Sequence, residues 1–474
     1  MRYFVGVFLF LISCFSVAGN LMRSSDGYLH PSCYYTDHAP FRSLYCGTDL
    51  INTVVNARMP WPLVPGYVTY FNEAKYELHL YSLRGDLISV KSSNNVFSKR
   101  SYSNHYASYS DDGILDKPVI VVEGYDPSNQ ISPANYYNSG FNSLVSGGRD
   151  IFIVNLNSHE KGINENAALL QQIIQEINGA KSGNHPTAVI GYSMGGVVAR
   201  KALKNMELAG INHQTSLYVS YDAPHLGANA PLSLQETVDK IISEVDSKSF
   251  GYTPSSLKRA RNVYNSAAAR EMLIAGPNYQ AANSSSFPVN LARVGVTSGS
   301  MGGVLQSPPT ILNEQIANFR FYIAENNLWS WSITTSWVSK MRGGAYYDNV
   351  PGGYLYQYDA ALSELQAGAN SFTLYQHSPN KAVTFVPTTS ALAIAGASTV
   401  PARDSFRYYS PFDKYIAVDQ SGQSACNVYA AQNSLGSNQR HDLFNPSQLA
   451  QIKCALDEYH RVGFVIPDRS FKSN

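Results

Sequence analysis

Ser193 is the residue whose setting points most directly to chemistry. It lies in Thr187-Ala188-Val189-Ile190-Gly191-Tyr192-Ser193-Met194-Gly195-Gly196-Val197-Val198-Ala199-Arg200, where an apolar, β-branched run ends in Gly-x-Ser-x-Gly and passes directly into a helical pattern. A tight strand-to-helix turn of this kind lifts one serine hydroxyl clear of the sheet edge as a nucleophile. Gly191 and Gly195 flank a strained serine backbone, and with Gly196 they let the helix start close against its neighbours. The N–H of Met194, the residue after the nucleophile, then points into the site as one oxyanion donor. A chain of this length yields roughly 0.2 chance matches to the pentapeptide, so the strand before it and the helix after it are what make the signal specific. A serine hydroxyl at its free pKa is a poor nucleophile, so a base must take its proton.

The elements that must position Ser193 alternate. Val119-Ile120-Val121-Val122 and Ile151-Phe152-Ile153-Val154 are continuous apolar runs of the kind buried on both faces of a parallel sheet. Ile163 to Ile177 reads as a helix with Ala167, Leu170, Ile174 and Ile177 on one side, and Leu217 to Tyr221 as a further strand after the Ser193 helix. Strand, helix, strand, helix, strand is the pattern of an α/β, doubly wound, mostly parallel central sheet. Residues 228–285 interrupt it with a helix from Pro231 that places Val238, Ile241, Ile242 and Val245 on one face; Leu291 to Val296 resumes it. Phe319–Ile323 and Ser332–Val338 read as strands of an insertion, and Val383 to Val386 as a late strand of the main sheet. A helix from Pro446 to Tyr459, capped by Asn445, closes the fold. Ahead of all this, residues 19 to about 65 show no clear period and read as an irregular cover, followed by a β-hairpin within Tyr67 to Ser92 and a polar loop over 93–116.

Composition bounds the partners. The 474 residues carry a net charge of +1, with 15% charged residues and 33 tyrosines, which argues against nucleic acid and against electrostatic capture of an anionic surface. Low charge with many Tyr, Asn and Ser leans toward an exported protein. Residues 1–18 read as a secretory signal peptide: Met1-Arg2, an apolar run too short to span a bilayer, and Ser16-Val17-Ala18 at the cleavage spacing. Leu11-Ile12-Ser13-Cys14 also resembles a lipoprotein cleavage box, which would put a lipid anchor on Cys14; otherwise any membrane contact is peripheral. The four remaining cysteines, Cys33, Cys46, Cys426 and Cys454, suit two local disulfides, Cys33–Cys46 and Cys426–Cys454, with buried free thiols as the alternative.

Three segments in order carry a resemblance. They are Val121-Val122-Glu123-Gly124-Tyr125-Asp126 after the first apolar run, the Gly191-Tyr192-Ser193-Met194-Gly195 turn, and Asp222-Ala223-Pro224-His225-Leu226-Gly227. Over about residues 116–466 the chain resembles α/β-hydrolases of the secreted lipase/esterase kind. The resemblance implies Ser193 as nucleophile and the N–H groups of Met194 and Tyr125 as the oxyanion hole. Many relatives have His-Gly where this chain has Glu123-Gly124, and the donor at Tyr125 is backbone. The order nucleophile, acid, histidine leaves His377, His441 and His460 as late histidines. His377 precedes the late strand and His460 ends the last helix at the surface, so His441, in the loop before that helix, is the implied base. His225 reads as a structural residue of its turn. The acid is expected after the seventh strand. Many relatives show Asp-Gly-x-Val-Pro there, and here the position matching that Asp is Val383. Two candidates remain open: Asp348, heading Tyr347-Asp348-Asn349-Val350-Pro351-Gly352-Gly353, and Asp413, in Ser410-Pro411-Phe412-Asp413.

The expected organisation is a signal peptide over 1–18, an N-terminal cover and hairpin over 19–115, a catalytic domain over 116–466 and a tail over 467–474. Within the catalytic domain, 228–285 is either a lid or a helical segment packed permanently on the sheet, and 300–380 is an insertion. The expected function is a serine hydrolase of carboxylic esters with a lipid-like or other ester substrate, no cofactor and no metal. A polyester depolymerase or a peptidase fits the same fold. A non-catalytic surface or binding protein on the scaffold is the reading from another class. The expected location is outside the cell, in the periplasm or at the cell surface.

Overall fold

A computed structural model of the chain describes residues 115–126, 139–156, 161–232, 263–274, 286–307, 348–357, 382–394, 410–418 and 438–469, with shorter stretches and the strands named below. Residues 1–18, Cys14 and Cys426 lie outside the described residues. The chain divides into two compact units. One comprises Met1–Glu123, Gln130–Ser158 and Gln172–Thr187, and the other Gly124–Asn129, His159–Gln171 and Ala188–Asn474.

In the first unit β1 (Arg23–Ser24) pairs antiparallel with β2 (Gly27–Tyr28), and β3 (Cys33–His38) with β4 (Phe41–Cys46). The stretch expected to be irregular thus contains strands. Cys33-Tyr34-Tyr35-Thr36-Asp37-His38 lacks apolar alternation, and its strand rests instead on the β propensity of Tyr and Thr. β5 (Glu77–Tyr81) and β6 (Leu87–Ser92) form the expected hairpin, and β5 also pairs antiparallel with β8 (Asp150–Asn155). β8 in turn runs parallel to β7 (Pro118–Val122), giving the order β7-β8-β5-β6. All five residues of β7 are buried. The Asp150 carboxylate fixes where β7 starts by accepting from the Asp116 and Lys117 N–H groups at 3.0 and 3.1 Å. The chain then runs through α1 (Ile163–Ala180), whose Ala167, Leu170, Ile174 and Ile177 are buried at the predicted spacing.

The second unit carries β9 (Thr187–Tyr192), α2 (Met194–Leu208), β10 (Thr215–Tyr221), the short α3 (Ala267–Met272) and β11 (Ala292–Val296). β12 (Gln315–Phe321) and β13 (Thr335–Lys340) pair antiparallel in the insertion. β14 (Gly352–Leu355), β15 (Gln376–His377), β16 (Val383–Pro387), α4 (Thr388–Ala391), β17 (Lys414–Ile416) and α5 (Pro446–Tyr459) follow. The main ladder has the order β17-β11-β10-β9, with β10, β11 and β17 parallel. Every residue of β9, β10 and β11 is buried, so each apolar side chain there adds about 1.5–3 kcal/mol of hydrophobic stabilisation.

One strand is not where periodicity put it. Val383–Pro387 does not join the main ladder; it pairs antiparallel with β14 in a separate two-stranded sheet, and the last strand of the main ladder is the three-residue β17. An apolar run states that a strand is buried, not which neighbour it pairs with. The helix from Pro231 is described only in part; Leu234 and Val238 are buried, and Ile241, Ile242 and Val245 lie outside the described residues. α5 begins as expected, with the Asn445 side chain accepting from the Ser447 N–H at 2.8 Å and Pro446 in the first turn. His460, expected at the surface, caps α5 with only 4% exposure. No described helix is long and apolar enough to cross a membrane.

Candidate active site

Parallel packing brings the carboxyl ends of β9, β10 and β11 to one edge, and the site is built there. Ser193 leaves β9 with φ 51° and ψ −123°, a conformation of the sort that costs on the order of 1–3 kcal/mol. Neighbouring backbone holds it: the Ser193 N–H donates to Tyr221 O at 2.9 Å, and the Gly196 N–H to Ser193 O at 3.0 Å. A side chain at Gly191 would lie 2.4 Å from Gly195 O, so only glycine lets the helix turn back this tightly. Ser193 is 5% exposed.

His441 reaches the site on a loop locked from several sides. Its N–H donates to Tyr354 O at 2.8 Å, and the Tyr354 N–H donates to Gln439 O at 3.0 Å, so β14 holds both residues flanking Arg440. The Tyr192 hydroxyl donates to His441 O in a short hydrogen bond. The Tyr192 ring stacks on the imidazole at 5.2 Å, and Phe385 meets it edge-on at 4.9 Å. Below this, Tyr221 donates to Gln448 Oε1 at 2.7 Å and accepts the Asn445 N–H at 3.1 Å, tying β10 to the start of α5. Burial raises the Tyr221 hydroxyl well above its ordinary pKa, which keeps it a donor.

The imidazole so placed has both ring nitrogens engaged. Nε2 lies 2.9 Å from Ser193 Oγ, and Nδ1 lies 2.8 Å from Asp222 Oδ2. A carboxylate only accepts, so Nδ1 carries the proton and Nε2 is left as the acceptor facing the hydroxyl. Asp222 is fully buried and stands at φ 47°, immediately after β10. Its N–H donates to Val296 O at 2.8 Å, and its Oδ1 accepts the Ser298 N–H at 3.0 Å. Gly353 makes room for it, since a Cβ there would fall 2.1 Å from Asp222 Oδ2.

The carboxylate bonded to His441 is therefore neither of the two expected. Asp348 is buried with Oδ1 accepting from Asn229 Nδ2 at 2.7 Å, and burial pushes its carboxyl up to about 6, against a smaller downward pull from Asn229. Asp413 is held by Arg469, whose Nε and Nη2 each donate to it at 2.7 Å, and by the Arg293 N–H at 2.8 Å. Both were expected beside Val383–Pro387 as a main-sheet strand, and that strand lies in a separate two-stranded sheet. Asp222 was visible in the sequence as the acid directly after the next strand, and it satisfies the order Ser193, acid, His441 as well as they do. His225 bonds Ser220 Oγ through Nε2 at 2.7 Å and does not touch Ser193. Tyr192 was not singled out as a site residue, although it lies inside the Gly-x-Ser-x-Gly turn.

The two residues expected to supply backbone donors both lie next to Ser193. Met194 is the first residue of α2, whose N–H has no acceptor within the helix. A Cβ on Gly124 would come 3.0 Å from Ser193 Cβ, so the chain at Gly124-Tyr125 runs directly against the serine. The Tyr125 hydroxyl shares a 2.6 Å hydrogen bond with Ser266 Oγ, and Ser266 also caps α3 by accepting from the Ala269 N–H. Tyr125, Tyr264 and Phe385 pack on an apolar cluster of Ala228, Ala230, Ala269 and Leu273. No group of His, Cys, Asp and Glu that could hold a metal occurs among the described residues.

A parallel ladder, a serine raised on the turn into α2, and a histidine brought to it by a late loop make up an α/β-hydrolase fold. Residues 149–319 match the sequence family described as PGAP1-like alpha/beta domain. No curated protein matches the sequence. Among solved structures, the mature form of the Bacillus licheniformis lipase BlEst2 aligns over 39% of this chain and 66% of that one, at 13% identity and a TM-score of 0.27. An esterase of Pyrobaculum calidifontis aligns over 38% and 57%, at 13% identity and 0.26. Aspergillus fumigatus lipase B aligns over 42% and 41%, at 19% identity and 0.24. Each match spans less than two thirds of the other protein's length.

Proposed function

We propose that this protein is a serine hydrolase that cleaves carboxylic esters through an acyl-enzyme. The observation that carries the reading is the continuous chain Ser193 Oγ, His441 Nε2, His441 Nδ1, Asp222 Oδ2, at 2.9 and 2.8 Å. Ser193 Oγ attacks the ester carbonyl while its proton passes to His441 Nε2. The carbonyl oxygen becomes an oxyanion facing the N–H groups of Met194 and Tyr125. The imidazolium then gives its proton to the departing alcohol, leaving Ser193 acylated. Water repeats the sequence with the acid released and the serine restored. Asp222 stays ionised throughout; it holds the tautomer and stabilises the imidazolium.

The apolar wall of Ala228, Ala230, Ala269, Leu273, Tyr125, Tyr264 and Phe385 adjoins both an oxyanion residue and His441. That supports an acyl chain or another lipid-like ester as substrate. Export with removal of residues 1–18 belongs to the same proposal, as do the two disulfides. Antiparallel partners lie about 4.5–5.5 Å apart at Cα, within the span of a disulfide, and Cys33 stands directly opposite Cys46. Cys454 lies on α5, the helix that the His441 loop feeds.

The test is labelling with a fluorophosphonate together with hydrolysis of p-nitrophenyl esters graded by chain length. The wild-type protein should label and turn over. Ser193→Ala should do neither while remaining folded, with a loss on the order of 10⁶-fold in kcat. A wild-type protein that is folded yet neither labels nor hydrolyses any ester would leave the scaffold a binding protein.

A further inference from the structure

Arg200 lies on α2 about two turns beyond Ser193 and is 2% exposed. Its guanidinium carbon is 4.9 Å from the centre of the Phe287 ring. Phe287, Phe412 and His225 contact one another with ring centres 5.1–5.6 Å apart, and His225 and Phe412 are fully buried. Within this aromatic enclosure three nitrogens have no hydrogen-bond partner among the described residues: Nε and Nη2 of Arg200 and Nδ1 of His225. No carboxylate among the described residues is paired with Arg200, and burial pulls its pKa down to about 10.

A guanidinium does not give up its proton in a protein, and a buried charge without a partner is strongly unfavourable. Nε and Nη2 form one edge of the guanidinium fork, the edge that grips a single anion with two parallel N–H groups. His225 is kept neutral by burial, with Nε2 at 2.7 Å from Ser220 Oγ. When Ser220 donates to that nitrogen, the imidazole proton resides on Nδ1 and becomes a third donor. Two cationic donors and one neutral donor, with aromatic rings for walls, suit a small monovalent anion.

We propose that Arg200 Nε and Nη2, with His225 Nδ1, form a buried site for a small monovalent anion of the halide class. This anion supplies the counter-charge that Arg200 lacks among the described residues. It ties α2, which begins at the nucleophile, to the turn that runs from Asp222 to Gly227, and so it acts on stability rather than on the reacting atoms.

The experiment uses the full chain and bromide. Thermal unfolding is followed while bromide replaces sulfate at constant ionic strength, and a crystal grown without halide is soaked in bromide. The wild-type melting temperature should rise with bromide, on the order of 5 °C over a hundredfold increase above the dissociation constant. An anomalous bromine peak should lie beside Arg200 Nε and Nη2. Arg200→Met should lose the bromide-dependent rise. A rise of equal size in Arg200→Met would be a general salt effect and would overturn the proposal. So would a wild-type protein whose melting temperature ignores bromide, or a soaked crystal with no peak at Arg200. The crystal decides the matter if Arg200→Met does not fold.

Discussion

Asp222 is buried, bonded to His441 through one oxygen and to the Ser298 N–H through the other. An asparagine there keeps the shape but can present an N–H to His441, which favours the wrong tautomer. Asp222→Asn is expected to lower kcat by about 10⁴, measured on a p-nitrophenyl ester. Asp348→Asn and Asp413→Asn should stay within a few-fold of wild type, because neither carboxylate is bonded to His441. Equal activity of Asp222→Asn and wild type would remove Asp222 from the mechanism. Asp348 has a different signature. Its carboxyl is held at about 6 instead of 3.8, at a cost of at most about 3 kcal/mol. Between those values the unfolded chain has released the proton and the folded protein keeps it. Stability therefore falls as pH rises through 3.8 to about 6 and is flat above. Asp348→Asn removes that loss, so the variant should melt higher than wild type at about pH 7, and the two should converge below pH 3.8.

β14 does more than its four residues suggest. It pairs with β16 on one side, and through Tyr354 it holds the backbone of Gln439 and His441 on the other. Gly353 brings the same strand against Asp222, so one short element positions the histidine and leaves space for its carboxylate. Gly353→Ala would force a methyl group to within 2.1 Å of Asp222 Oδ2. Displacing a catalytic group by about 1 Å can cost 10²-fold, so kcat should drop by at least that much while the protein stays folded by circular dichroism. Unchanged kcat in the folded variant would mean that Asp222 tolerates the shift. The sequence showed Gly352-Gly353 and the apolar Val383 run. It could not show that the two strands pair with each other, because pairing partners are chosen by packing at long range.

Across the second unit the C-terminal segment acts as a clasp. Arg469 grips Asp413 with two hydrogen bonds and donates to the carbonyls of Val289 and Leu291, joining the chain's end to the start of β11 and to β17. Hydrogen bonds to charged groups contribute about 1.5–3 kcal/mol, and the Asp413 side chain is only 5% exposed. Arg469→Ala should destabilise by about 2–3 kcal/mol in denaturant melts with kcat unchanged; a loss of kcat without loss of stability would contradict a purely structural clasp. The sequence by itself determined the parallel α/β architecture, because continuous apolar strands and amphipathic helices leave few ways to bury their faces. It also marked Ser193 as the proposed nucleophile, because a strained serine between glycines leaves a local signature, and it pointed to His441 through chain order. Only the tertiary structure decided the carboxylate. Asp222, Asp348 and Asp413 are all acids near strand ends, and composition does not rank them. What separates them is that β10 ends beside β9 in the ladder, so Asp222 arrives beneath His441, while Asn229 takes Asp348 and Arg469 takes Asp413. The proposed triad joins residues 219 and 248 positions apart in the chain, and such contacts are set by which strands lie side by side.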